Sequence, residues 1–397
     1  MRQASDSRLL RLVNGQRIVD ALLASSPGGI SRADVARVTG LSKPTVSLLV
    51  GDLEQSGLVR LASAARSSGG VGRPAALYEI VPEAGMVIAV DIGATKVIVG
   101  LADLLGRVVA EREIETGPDA ASALTAIVGH VEEMLADADG AAKAACIGVP
   151  GVYRRETDVV ERALNLPGFE GLHVQAMAED LLGVEVHIDN DVNLAALGEA
   201  DNADDGFEPT NFAAISVGTG IGMGLVVDGD LYRGGTHAVG EIGSLILSGG
   251  DSDSNSIRTL EDLASANAIR KSFAVAIEEG HPSSLEGTPD VPAIFEAADL
   301  GDPGASHVLS VAARAMALAV SHLGFITDPE RVIFGGGVGA NQVFVRAVES
   351  ELAHLMPSPP VVAASTLGRR ATFLGAVSRA LESLHETLVT QHLGEQR

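Results

Sequence analysis

Two stretches of this chain follow one plan at a fixed spacing, and that repeat limits the fold more than any other feature. Met86-Val87-Ile88-Ala89-Val90-Asp91 is an apolar run that enters the turn Ile92-Gly93-Ala94-Thr95-Lys96, resumes over residues 97–102 and turns again at 103–106. Ala213-Ala214-Ile215-Ser216-Val217 enters Gly218-Thr219-Gly220-Ile221-Gly222, resumes over 223–227 and turns at Asp228-Gly229. Gly93 and Gly218 are 125 residues apart, as are Asp103 and Asp228. Short apolar runs bounded by glycine turns read as buried strands. Strand, glycine turn and hairpin occurring twice predict a duplicated α/β unit with a cleft between the copies.

The turns are suited to phosphate. After a strand, the backbone N–H groups of Asp91-Ile92-Gly93-Ala94-Thr95-Lys96 and the Thr95 hydroxyl can cradle it, and the Asp91 carboxylate can hold Mg²⁺ or its water shell. Gly218-Thr219-Gly220 offers a second cradle. A third glycine run, Phe334-Gly335-Gly336-Gly337-Val338, ends an apolar strand and precedes a helix, which allows a nucleotide close to the backbone. Each turn alone is equally a plain hairpin; in register they favour a nucleotide between two lobes. Asp189-Asn190-Asp191-Val192-Asn193 follows the alternation Val184, Val186, Ile188 and precedes an Ala-rich helix. A carboxylate there can take a proton from a substrate hydroxyl, which makes Asp191 the candidate base, or the cluster caps the helix.

The first 80 residues read differently. Leu9, Leu12, Val13, Ile18, Val19, Leu22 and Leu23 keep a helical period that Ser25-Ser26-Pro27-Gly28-Gly29 ends. Ser31 with Asp34 begins a short helix, Gly40 allows a sharp turn, and Ser42-Lys43-Pro44-Thr45 begins another. Val46, Leu49, Val50 and Leu53 share one face of it, leaving Ser42, Lys43, Thr45 and Ser47 for base edges, as in a helix-turn-helix. Two short strands around a Gly/Ser-rich stretch follow and read as a wing whose Arg66 and Arg73 suit a minor groove, although a glycine-rich linker has the same composition.

Charge divides the same way. Residues 1–80 carry +4 and the remainder −28 of a total of −24, so nucleic acid is attracted to the first segment and repelled by the body. Cys146 is the single cysteine, which excludes an intrachain disulfide and a zinc site of several thiolates. There is no uninterrupted apolar run of about 18 residues and no signal-peptide pattern at the start, so a cytoplasmic protein with no membrane partner is expected.

The ordered motifs Asp91-Ile92-Gly93-Ala94-Thr95-Lys96, Ile147-Gly148-Val149-Pro150-Gly151, Asn165-Leu166-Pro167-Gly168, Asn190-Asp191, Gly218-Thr219-Gly220-Ile221-Gly222 and Gly240-Glu241-Ile242-Gly243 resemble those of the ROK family of repressors, open reading frames and sugar kinases. The resemblance implies an α/β chain with a winged helix-turn-helix (residues 1–80) before a two-lobed, actin-like and hexokinase-like (ribonuclease H-like) ATPase fold. Lobe 1 would span 81–200, completed by a C-terminal helix at 375–397, and lobe 2 would span 201–374. It implies Asp191 as base, Asn165, Asn190, Asp191, Glu241 and Glu261 on sugar hydroxyls, and Asp91, Gly93, Thr95, Lys96, Gly218, Thr219, Gly220, Gly335 and Gly336 around ATP. The family's zinc-binding His and Cys positions fall at Ser244, Ser252, Ser254 and Thr259, so no zinc is expected and loss of the His bears on sugar choice. Without a metal clamp, residues 247–258 are expected to be mobile.

The leading expectation is a sugar-responsive repressor of carbohydrate genes, a homo-oligomer (dimer or tetramer) on double-stranded operator DNA. It would need no cofactor for DNA binding, and a shift between lobes would pass through the linkage at Val81-Pro82 to the heads. The alternative is an ATP- and Mg²⁺-dependent sugar kinase with an appended head.

Overall fold

The computed structural model describes residues 2–62, 75–138, 140–163, 166, 168–203, 210–248 and 258–393. The head comprises α1 (Arg2–Ala24), β1 (Ile30–Ser31), α2 (Arg32–Thr39), α3 (Lys43–Gln55), β2 (Val59–Leu61) and β3 (Leu77–Ile80). α1 begins at Arg2 rather than near residue 8, because its polar first turns leave no apolar period to read. Ser31 accepts the Asp34 amide at 3.1 Å and Ser42 the Thr45 amide at 3.3 Å, so each caps the helix that follows it. Gly40, at φ 71°, makes the turn between the two helices. The strands pair antiparallel in the order β1-β3-β2. The tip of the wing, with Arg66 and Arg73, lies outside the described residues.

The first lobe contains β4 (Met86–Ile92), β5 (Lys96–Asp103), β6 (Val108–Glu115), α4 (Ala120–Asp137), β7 (Ala142–Val149), β8 (Val152–Arg154), β9 (Val159–Glu161), α5 (Val174–Leu182), β10 (Glu185–Asn190) and α6 (Asp191–Asp201). The second contains β11 (Phe212–Val217), β12 (Ile221–Val227), β13 (Asp230–Leu231), β14 (Ile246–Ser248), β15 (Arg258–Thr259), α7 (Glu261–Ala264), α8 (Ala266–Glu278), α9 (Val291–Asp299), α10 (Pro303–Thr327), β16 (Arg331–Gly335), α11 (Gly336–Gly339), α12 (Gln342–Leu355) and β17 (Val361–Ala364). α13 (Ala371–Leu393) then returns to the first lobe.

The sheets are ordered β10-β7-β4-β5-β6 and β17-β16-β11-β12-β13. In both, two parallel strands lead to a central strand that folds back into an antiparallel hairpin, so the sequence repeat is a repeat of topology. α10 is long and apolar enough by composition to cross a bilayer. Here it runs through the core of lobe 2, where Ala312, Ala313, Met316 and Val320 are buried.

Among the described residues, the buried side chains of the head share a core with the body. Ile18, Val19, Leu22, Leu49, Leu53 and Ile80 belong to one buried cluster with Val87, Ala89 and Cys146 of lobe 1 and with Phe373, Val377, Leu384, Leu388 and Leu393 of α13. Apolar burial at roughly 25 cal/mol per Å² therefore ties head and body together, rather than leaving the Val81-Pro82 linkage as their sole tether. The helices meet closely: a Cβ added at Gly15 of α1 would lie 2.7 Å from Leu393 Cδ1 and 2.8 Å from Val389 Cγ1. At the other end of α13, a Cβ on Gly375 would overlap the Leu194 carbonyl oxygen of α6, and one on Gly198 the Ala371 carbonyl oxygen.

Candidate functional site

Each glycine turn is closed by a backbone hydrogen bond from its first residue, the first turn one residue longer than the second. The Gly93 amide donates to the Lys96 carbonyl at 2.9 Å, and the Gly218 amide to the Gly220 carbonyl at 2.9 Å. Thr116 braces the first turn through a 2.7 Å hydrogen bond to the Gly93 carbonyl. Asp91, Gly93, Thr95, Lys96, Gly335 and Gly336 line one cavity of about 470 Å³ between the sheets. Lys96 is ion-paired with Glu113, which also holds Arg369. Thr219 faces a separate cavity of about 640 Å³ with Glu261, so the residues assigned to ATP by resemblance are not all brought to one space.

Asn190 is the cap of α6. Its Oδ1 accepts the Val192 and Asn193 amides at 2.9 and 3.1 Å while its Nδ2 donates to the Gly151 carbonyl at 2.9 Å. Asp191 is the first residue of the helix so capped, and its own carbonyl accepts the Thr372 hydroxyl of α13 at 3.1 Å. Burial pushes its carboxyl up to about 6, Glu241's charge adding to the effect. Asp91 is pushed up to about 7, by burial first and then by the charge of Asp191, with Arg369 opposing. Two carboxyls that titrate near neutral pH thus lie close enough for the charge of one to raise the other, an arrangement suited to moving a proton.

Asn190 and Glu241 line a narrow pocket of about 30 Å³ with Gly151, Asp189 and His237. Glu261 supports this region from beneath: its Oε2 accepts the Ile221 amide at 3.2 Å and lies 3.0 Å from where a Cβ on Gly243 would stand. Asn165, assigned to sugar by resemblance, lies outside the described residues.

Three arginines, which no sequence motif marks, span from one lobe to the other beside the pocket. Arg162, at φ 61°, reaches from lobe 1 to Glu241 Oε2 (3.1 Å) and Ser244 Oγ (3.3 Å) of lobe 2. Arg154 donates to the Thr236 carbonyl, and Arg233 pairs with Asp189 in the opposite direction.

At the family's zinc positions the donor set does not suit the metal. Ser244 is an exposed hydroxyl beside Arg162, and the Thr259 hydroxyl donates to Asp262 Oδ2 at 2.9 Å. Ser252 and Ser254, and most of the 247–258 segment expected to be mobile, lie outside the described residues.

In the head, Lys43 and Ser47 are exposed at the start of α3. Ser42 and Thr45 bind each other through their hydroxyls at 2.8 Å, so both are engaged in the helix cap.

A winged helix-turn-helix joined to two duplicated α/β lobes, with glycine turns and carboxylates facing their cleft, defines a DNA-binding regulator on a sugar-kinase-like fold. The chain belongs to the ROK family, whose sequence model matches residues 87–383, and a MarR family model matches residues 18–73. A xylose repressor of Caldicellulosiruptor bescii is 27% identical over 82% of this chain and 84% of its own. A glucokinase of Thermotoga maritima is 29% identical over 74% of this chain and 96% of its own. The crystal structure of a ROK family transcriptional regulator, a homologue of the E. coli MLC protein, superimposes with a TM-score of 0.79 at 22% identity, covering 98% of this chain and all of its own.

Proposed function

We propose that this sugar-responsive transcriptional repressor senses its effector at Asn190, Asp191, Glu241 and Glu261, and that α13 carries the signal to the DNA-binding head. One observation carries the reading: a single helix touches both ends of the path. Thr372, in its first turn, holds the Asp191 carbonyl, and Leu393, in its last, packs on Gly15 of α1. Between them Gln16 Nε2 donates to the His385 carbonyl at 3.2 Å, and His392 Nδ1 lies 3.2 Å from Ser56 Oγ at the end of α3. A sugar drawing the lobes together must move α6. The near-touching backbones at Gly198 and Gly375 leave α6 little freedom to slide on α13, so α13 moves with it.

Two heads of a homodimer or tetramer would bind half-sites of one operator in the cytoplasm, and tilting them would break the match of spacing. Allosteric coupling of this kind is typically about 1–3 kcal/mol, or roughly 5–150-fold in operator affinity. The test is to select an operator with the purified chain and titrate it with and without each of a panel of pentoses, hexoses, amino sugars and their phosphates. The proposal requires at least one to change the affinity by about fivefold or more.

A second reading, sugar phosphorylation, draws on the raised and mutually influencing carboxyls of Asp91 and Asp191. ATP would lie against Asp91, Gly93, Thr95 and Gly335, and would supply the transferred phosphoryl group. Sugar-dependent ATP turnover that vanishes in Asp191→Asn would establish it; no turnover over the same panel would dismiss it.

A further inference from the structure

The face that α3 offers to DNA is more apolar than its polar start suggests. Leu48 is 63% exposed, although the rest of the helix buries Val46, Leu49, Val50 and Leu53. Pro44, one turn earlier, is also exposed, and a Cβ on Gly51, one turn later, would meet nothing within 4 Å. Residues spaced by four and then three share one side of a helix, so Pro44, Leu48 and Gly51 form an open apolar stripe. Lys43 and Ser47 flank it.

The acidic groups at the far end of the helix are matched. Asp52 pairs with Arg11 at 2.9 Å and Glu54 with Arg32 at 3.7 Å, so no bare carboxylate there opposes the phosphates of a bound duplex. Ser42 and Thr45 already spend hydroxyl capacity on each other. Among the exposed side chains of α3, Leu48 is the large one that water solvates poorly and that cannot hydrogen-bond a base edge.

Resting on the DNA-binding reading above, we propose that Leu48 is a specificity residue that packs on a thymine 5-methyl group in the major groove of each half-site. Thymine alone among the bases presents a methyl there, so an apolar contact distinguishes it without a hydrogen bond. Gly51 leaves the groove wall room to approach. One methyl removed from water corresponds to about fourfold in affinity.

The experiment uses the full chain and a duplex selected by it from a random-sequence library, resynthesised with each thymine replaced singly by uracil, which removes the methyl alone. The expected result is one thymine per half-site whose replacement weakens binding about fourfold, with Leu48→Ala weakened similarly and indifferent to that uracil. Leu48→Ile should keep the sensitivity. Thermal melting confirms that these surface variants fold. Wild-type indifference to every uracil, or undiminished sensitivity in Leu48→Ala, overturns the proposal while operator binding itself stands. A changed subunit count in Leu48→Ala with the uracil effect intact also overturns it, placing Leu48 between copies of the chain. Failure to select any duplex overturns the DNA-binding reading as well.

Discussion

The Thr372 hydroxyl donates to the Asp191 carbonyl at 3.1 Å, which joins the first residue of α6 to the helix that ends against the DNA-binding head. This hydrogen bond lies where α6 and α13 are closest, beside Gly375 and Gly198. A body that changes shape around a ligand can signal only through elements that move as units, and these two helices are built as one.

Gly375→Ala tests that unit directly. Its Cβ would overlap the Leu194 carbonyl oxygen, part of a backbone with little room to yield. Overpacking of this kind costs about 1–3 kcal/mol, and urea denaturation should report at least that loss. Because head, lobe 1 and α13 share one core, far-UV and DNA-binding signals should be lost together.

Arg162→Ala frees Glu241 from a partly exposed ion pair. Such pairs contribute about 0–1 kcal/mol, so binding of the panel sugar that most raises the melting temperature should tighten by up to about fivefold in calorimetry. Salt should tighten wild-type binding in the same direction by screening the pair. Weaker binding by the variant would instead place Arg162 on the ligand.

Stability should fall as pH rises across the range where Asp91 and Asp191 ionise. Both folded pKa values, about 7 and about 6, lie above the ordinary aspartate value of 3.8, so the folded state holds protons that the unfolded state releases first. The stability each gives is complete below about 3.8 and is lost as pH climbs through its folded pKa. Asp191→Asn should therefore be more stable than wild type at pH 7.5, on the order of 1–3 kcal/mol by urea denaturation, with the gap closing by pH 4. An equal gap at both pH values would contradict the shift.

Much of this architecture was legible in the chain. Gly93 and Gly218 mark equivalent positions because each follows a buried central strand and opens the turn into an antiparallel hairpin, and the two sheets repeat strand for strand. Ser31 and Ser42 announced their helices because N-capping is local. Arg162 and Arg154 were silent: a lone arginine reaching a residue about 80 positions away leaves no periodic trace. The path through α13 is silent for the same reason, since Gly15 and Leu393 meet only in the folded chain, whereas the short linkage at Val81-Pro82 is visible as a sequence boundary. Glu261 also accepts the Ile221 amide, a backbone contact that no side-chain pattern reports.

The most direct measurement is the operator affinity of wild type and of Val389→Ala/Leu393→Ala, each by fluorescence anisotropy with and without saturating effector. These side chains join α13 to Gly15 and lie far from the cleft, so sugar affinity should be unchanged. The account predicts at least about a fivefold response to sugar in wild type and less than about twofold in the variant, which still binds both ligands. A variant that keeps the full response would show that the signal does not travel through α13.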